Sequence, residues 1–306
     1  MPSLASGLDF IDLTFLGRPQ IIATAILHGP SGVALIDPGP ERTLPTLTSE
    51  LTRKGIRFED VRQLLLTHIH LDHAGATGSI VEKYPHIEVL VHERGAPHMI
   101  DPAKLLSSAG RLYGQDMERL WGDVKPVPAT RIRAIDGGQT YAIVGREVKV
   151  EYTPGHASHH VSYFDTASRV AFVGDTAGIR RGSGTYIMPP TPPPDIDLEA
   201  WRESEQKILA WDPDTLFLTH FGPFQGSARQ HLQGMFENIA DWSRIVRRLL
   251  ADASRSDEDR QKAFTDEAYL NLRRLLGDVE ADDYVRAGGL NYSWQGLARY
   301  WRKRAA

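Results

Sequence analysis

The chain has 306 residues, of which 41% are hydrophobic and 24% charged, the balance of a globular protein rather than a disordered one. It contains no cysteine, which excludes disulfides, thiol nucleophiles, iron–sulfur clusters and zinc sites built on thiolates. Any metal must therefore be held by His, Asp, Glu or backbone oxygen. A formal net charge of -4 gives no basic footprint for nucleic acid, and no apolar run has the length of a membrane span. The opening MPSLASGLDF lacks the basic and apolar segments of a secretory leader. The expectation is a cytoplasmic protein acting on a small molecule, with neither nucleic acid nor membrane as partner.

Residues 8–16, 21–28 and 33–37 are rich in β-branched and aromatic side chains, with turn formers between them, so three strands are expected. The third stops at Pro38-Gly39. A helix over 41–54 leads to a strand over 61–66 that runs straight into Thr67-His68. A helix over 75–84, a buried strand over 87–92 and mostly helical chain to about Trp121 follow, and 131–175 is a second strand-rich block. The stretch 180–197 differs in kind. Its five prolines (Pro189, Pro190, Pro192, Pro193, Pro194) bar a regular helix or central strand. It reads either as a stiff surface connector or as a wall or lid over a site. A helix over 198–211 and a strand over 215–218, ending at Thr219-His220, complete the mixed part. Beyond Gly222-Pro223 only helical patterns remain. Leu232, Met235, Phe236, Ile239, Trp242, Val246 and Leu249 form one stripe and Phe264, Ala268, Leu272 and Leu275 a second, with a third helix over 292–301. A boundary near residue 225 divides a mixed α/β domain, 1–225, from an all-helical one, 226–306.

The chemistry concentrates at strand ends. Thr67-His68-Ile69-His70-Leu71-Asp72-His73-Ala74-Gly75 places three imidazoles and a carboxylate on a loop leaving an apolar strand. His68 and His70, two apart, can enter one cleft while Asp72 and His73 serve a second point nearby. Imidazole with carboxylate suits Zn, Fe or Mn. Three further strands run into groups of the same kind. These are Thr153-Pro154-Gly155-His156-Ala157-Ser158-His159-His160, then Val173-Gly174-Asp175-Thr176, then Leu218-Thr219-His220. Taken singly each is weak, since a lone His at a strand end is more often structural than a ligand. Their joint occurrence after a His-x-His-x-Asp-His element is what points to a metal site.

Asp37 in its Ile-Asp-Pro-Gly turn, with His68, His70, Asp72, His73, His156, Asp175 and His220, resembles in order the motif set of the metallo-β-lactamase superfamily. The resemblance implies an α/β fold, an αββα sandwich of two mixed β-sheets flanked by helices, here with a C-terminal all-helical extension. It implies two divalent metal ions in a cleft at one sandwich edge, zinc first, with iron or manganese as alternatives. It assigns His68, His70 and His156 to one metal, Asp72, His73 and His220 to the other, and Asp175 to a bridge between them. Asp37 and His160 become supporting residues. His159 receives no role and is expected to be solvated. Five neutral imidazoles and two carboxylates would leave two divalent ions about two units of positive charge, which favours a metal-bridging hydroxide as nucleophile. Asp72 and Asp175 are then the catalytic carboxylates, Asp72 also as a proton acceptor.

Within the superfamily the chain lacks the cysteine ligand of several true β-lactamases, and has His70 where flavodiiron relatives carry Glu. The glyoxalase II-like and lactonase-like branch remains, and the expected reaction is hydrolysis of an ester, thioester or lactone. Arg180, Arg181 and Tyr186 follow Asp175 closely and are expected to border the cleft, where an arginine could pair with an anionic substrate group. Two other classes stay open. A mononuclear iron enzyme of the persulfide dioxygenase kind would hold one Fe and consume O₂, and a binding module would turn over nothing. His231, outside the set, is the expected neutral control.

Overall fold

A computed structural model describes residues 5–182 and 184–305. The strands pair into two six-stranded mixed sheets. The first runs β1 (Leu8–Asp12), β2 (Ala23–Gly29), β3 (Gly32–Ile36), β4 (Val61–Leu65), β5 (Glu88–His92), β6 (Ile132–Ile135), in that order. Its hairpin-linked strands β1 to β3 are antiparallel, and β3 to β6 are parallel. Parallel neighbours need a crossover, and helices α1 (Leu44–Arg53), α3 (Thr77–Lys83), α4 (Ala96–Ile100), α5 (Ala103–Tyr113) and α6 (Met117–Trp121) lie in those connections. A short α2 (Leu71–Ala74) follows the His-rich loop. The second sheet holds β7 (Gln139–Ile143), β8 (Arg146–Tyr152), β9 (Val161–Asp165), β10 (Val170–Phe172), β11 (Thr215–Leu218) and β12 (Gly222–Phe224). Only β10 and β11 in it are parallel.

Side chains alternate across each strand, so both faces of the central strands must be covered. On the outer face of the first sheet Ile26, Leu35, Leu64 and Val89 meet Leu47 and Leu51 of α1 and Ile80 of α3. On its inner face Leu27, Ala34, Leu65 and Leu90 meet Val150, Tyr163, Phe172 and Phe217 of the second sheet. The outer face of that sheet, through Phe164, Ala171, Leu216 and Leu218, packs on Ile208 of α7 (Leu198–Ala210) and Leu232 of α8 (Ala228–Ala251). This is the αββα sandwich, helix on sheet on sheet on helix.

The C-terminal region adds α9 (Asp257–Leu276), α10 (Asp278–Gly288) and α11 (Leu290–Ala305). Helix α10 escapes a periodicity reading because its 11 residues are mostly polar and bury little besides Ala281 and Tyr284. Strand β12 escapes it because it is three residues long and contains Pro223, tolerated at a sheet edge. Asp197, Ser227 and Ser256 cap α7, α8 and α9 by accepting a backbone N–H three residues on. Among the described residues no helix is long and apolar enough to cross a membrane.

These helices share one apolar cluster with the proline-rich segment: Ile179, Ile187, Met188, Ile196 and Trp201 pack with Met235, Phe264, Tyr284 and Trp294. The Trp201 indole donates to the Thr176 carbonyl at 2.8 Å, and His231 Nε2 donates to the Ala177 carbonyl at 2.7 Å. His231 is therefore a buried joint between α8 and the chain just after Asp175, not the neutral control expected of it. Removing residues 226–306 would turn the five apolar side chains of 179–201 toward water at roughly 1.5–3 kcal/mol each, about the whole stability of a domain. The truncated chain is expected to lose cooperative thermal unfolding and metal uptake together. Retention of both would show the helices to be dispensable for the sandwich.

Candidate metal centre

Four strands of the two sheets end at one edge of the sandwich. β4 runs into Thr67-His68-Ile69-His70 and then α2, which carries Asp72 and His73. β10 runs into Asp175, and its parallel neighbour β11 into His220. The loop between β8 and β9 brings His156. Bonds across the edge lock the two sheets in register. Val161 N–H donates to the Thr67 carbonyl at 2.7 Å, Ala23 N–H to the Thr219 carbonyl at 2.8 Å, and the Tyr163 hydroxyl to the Leu66 carbonyl at 2.8 Å.

Beneath this edge lies Asp37, fully buried. Its carboxylate accepts four bonds: the Thr67 N–H at 2.8 Å, the Thr67 hydroxyl at 2.7 Å, the Thr219 hydroxyl at 2.8 Å and His73 Nδ1–H at 2.8 Å. The turn that presents it needs Gly39 at φ +84, where a Cβ would fall 2.1 Å from Leu13. Gly174, before Asp175, is fixed in the same way. A Cβ there would lie 2.5 Å from the Thr67 hydroxyl and 2.6 Å from His160 Nε2.

These partners decide which imidazole nitrogen carries a lone pair. His73 Nδ1 is spent on Asp37, His156 Nδ1 donates to the Pro190 carbonyl at 2.8 Å, and His220 Nδ1 donates to the Ile21 carbonyl at 2.7 Å. The Thr67 hydroxyl proton goes to Asp37, so His68 Nδ1–H donates to that oxygen at 3.1 Å. All four rings consequently turn Nε2 inward, where it can take a cation or a proton. His68 Nε2 and His156 Nε2 each lie 3.0 Å from His70 Nδ1, where a single proton could serve only one of them. His73 Nε2 lies 3.1 Å from Asp175 Oδ1, and neither atom has a hydrogen-bond partner although both are buried. Lone pairs facing lone pairs in the interior call for cations.

The donor atoms fall into sets within 4.8 Å: His68, His70 and His156; Asp72, His73 and His220; and His68, His73 and Asp175. Asp175 stands between the first two. Its Oδ2 is 3.4 Å from His156 Nε2, while its Oδ1 is 3.1 Å from His73 Nε2 and 3.4 Å from His220 Nε2. Asp72 Oδ2 lies 3.2 Å from His220 Nε2. His160 backs Asp175 by accepting its N–H at 3.3 Å on Nε2, with Nδ1 on the Thr153 hydroxyl at 3.0 Å. The residues fit a pair of divalent ions in number, kind and direction of donors.

The electrostatics divide along the same line. Burial among other imidazoles pushes His68 well below its ordinary value and brings His70 down to about 4. Burial also pushes His73 down, but the charges of Asp72, Asp175 and Asp37 outweigh it and raise His73 well above its ordinary value. Asp175 and Asp72 raise His220 in the same way. Burial raises the Asp72 carboxyl, and His73 and His220 reverse this, bringing it down to about 2. Positive charge is therefore wanted at the carboxylate side, whether a proton or a metal supplies it.

The profile of the metallo-beta-lactamase superfamily matches residues 17–220, two thirds of the chain. The chain belongs to the metallo-beta-lactamase superfamily. It is 25% identical over 220 residues to a metallo-beta-lactamase fold-containing protein of Sulfurisphaera tokodaii, covering 71% of this chain and 78% of that one. A metallo-beta-lactamase family protein of Thermus thermophilus superposes with a TM-score of 0.72 at 20% identity, over 99% of this chain and 96% of the other, a likeness of fold. A hydroxyacylglutathione hydrolase of Buchnera aphidicola is 28% identical over 193 residues, 63% of this chain and 58% of that enzyme. The chain spans less than two thirds of the length of the hydroxyacylglutathione hydrolases it matches.

In this superfamily member a cleft of about 550 Å³ opens over His70, Asp72, His156, Asp175 and His220. Pro190, Pro192, Pro193, Pro194 and Asp195 form one wall, so the proline-rich segment is a wall rather than a plain connector. Helices α5 and α6 form a second with Leu105, Tyr113 and Trp121, and the α10–α11 corner a third with Gly288 and Tyr292. His159 also lines the cleft, but it is only 8% exposed and takes the Ile69 N–H at 3.4 Å, which corrects the expectation of a solvated residue. Arg180, Arg181 and Tyr186 are not in the lining. The Arg180 guanidinium stacks on the Phe224 ring at 4.7 Å, Arg181 N–H donates to the Tyr284 hydroxyl, and Tyr186 packs edge-on against Tyr284 at 5.2 Å. A wider groove of about 650 Å³ between α7, α8 and α11 contains none of the converging groups.

Two outcomes are expected of this centre. Asp37→Asn removes the acceptor that fixes the His73 tautomer and should weaken metal affinity by about 10–100-fold, read by competition with a chelating dye. The neighbouring carboxylates raise the proton affinity of His73 and His220, so protons and metal compete for the same Nε2 atoms. Metal loading should release protons, and affinity should fall as pH drops, measured by calorimetry in buffers of different ionisation enthalpy. Loading without proton release would contradict the geometry.

Proposed function

We propose that the chain is a dinuclear metal-dependent hydrolase acting on an ester, thioester or lactone. The observation that carries this reading is Asp175, which turns one carboxylate oxygen toward His156 and the other toward His73 and His220. His68, His70 and His156 would hold one ion, Asp72, His73 and His220 the other, and Asp175 would span both. Their imidazole and carboxylate donors suit zinc, iron or manganese. Two such ions would supply Lewis acidity, which lowers the pKa of water and polarises a carbonyl. Asp72, its side chain 24% exposed at the cleft, would take up the proton released as water adds. The hydrolase names of relatives, hydroxyacylglutathione hydrolase and atrochrysone carboxyl ACP thioesterase, support the reaction class.

The test is metal analysis combined with a screen of thioesters, lactones and aryl esters. Two metals per chain and chelator-sensitive hydrolysis are expected. His68→Ala or Asp175→Ala should abolish turnover, by 10³-fold or more, and lower metal content, whereas His86→Ala, at an exposed site, should change neither. One iron per chain with O₂ uptake and no hydrolysis would replace this reading with the dioxygenase one.

A further inference from the structure

Tyr113 closes α5 and points its ring into the cleft that holds Asp72, His156, Asp175 and His220. It is gripped from two directions. The Trp121 ring of α6 stands edge-on at 5.0 Å, and the Tyr292 ring of α11 stands at 64° with centroids 5.3 Å apart. Phe15 stacks on the far side of Trp121 at 5.8 Å, so the clamp is anchored in the sandwich. The ring shares the cleft lining with Asp72 and Asp175. An aromatic ring pinned on both sides in the wall of the cleft that holds the converging groups, and making no hydrogen bond to those carboxylates, is a preorganised donor. The lining also holds four cations. Arg119 and Arg286 are paired with Asp116 and Asp282, and Arg94 and Lys104 are exposed.

We propose that the Tyr113 hydroxyl is a catalytic group that donates a hydrogen bond to the substrate's carbonyl oxygen as that oxygen gains negative charge. The assignment rests on the hydrolase reading above. The O–H bond stays intact, so the water and metal ligands alone carry the proton balance of the reaction. It also gives α11 a part in catalysis, because Tyr292 holds one side of the donor in place.

The experiment compares the zinc-loaded protein with its Tyr113→Phe variant on aryl esters of graded leaving-group acidity, with metal content and thermal midpoint measured for both. Phenylalanine keeps the ring and its contacts and removes only the donor. The expected result is a fall in kcat of about 10²–10³ with KM, metal content and midpoint essentially unchanged, and the same fall for every leaving group. An unchanged kcat, or a change confined to KM, overturns the proposal. So does a loss that grows with leaving-group pKa, which would put the donor on the departing oxygen. A metal-loaded parent protein inactive on thioesters, lactones and aryl esters overturns the hydrolase reading, and the Tyr113 assignment falls with it.

Discussion

A single buried carboxylate organises the working edge of this protein. Asp37 accepts four hydrogen bonds from three segments: the end of β4 through Thr67, the end of β11 through Thr219, and α2 through His73. A carboxylate without water is costly unless its lone pairs are filled, so these donors have no freedom to drift apart. The same bonds fix the distance between the sheets at the site and the tautomers of His73 and, through the Thr67 hydroxyl, His68. Thus the stability of the fold and the orientation of two candidate ligands are one interaction.

The remaining imidazoles follow the same pattern with weaker acceptors. The Pro190 and Ile21 carbonyls hold Nδ1–H of His156 and His220, and each bond turns the opposite nitrogen inward. The result is an interior in which acceptors face acceptors. Such an arrangement is unfavourable in the bare chain, and the raised proton affinity of His73 and His220 is its electrostatic signature. A site that is uncomfortable without cations is a site prepared for them.

The helical region also shapes the cleft above the candidate metal centre. Its apolar cluster includes the proline-rich segment, and Trp201 and His231 bond the carbonyls just beyond Asp175. The corner of α10 and α11 supplies the third wall of the cleft, with Tyr292 against Tyr113. Core packing and cleft shape are therefore not separable at this junction.

The spacing of polar groups at strand ends carried most of what could be read in advance. His68, His70, Asp72, His73, His156, Asp175 and His220 each follow an apolar run, and a strand end is a local property that neighbouring residues encode. The two mixed sheets follow from the same runs, since alternating and doubly buried strands demand covering layers. Directions of side chains in irregular segments are another matter. Arg180 and Tyr186 sit near Asp175 in sequence, but Phe224 and Tyr284, from distant elements, engage their side chains, and the Arg181 backbone N–H is held by the Tyr284 hydroxyl. His159 is buried with its ring stacked on His68, and Tyr113 lines the cleft with its ring between Trp121 and Tyr292. The sequence by itself determined which groups exist and at which strand ends. Only tertiary packing decided which nitrogen each imidazole presents and which aromatic rings wall the cleft, because those depend on contacts between residues far apart in the chain.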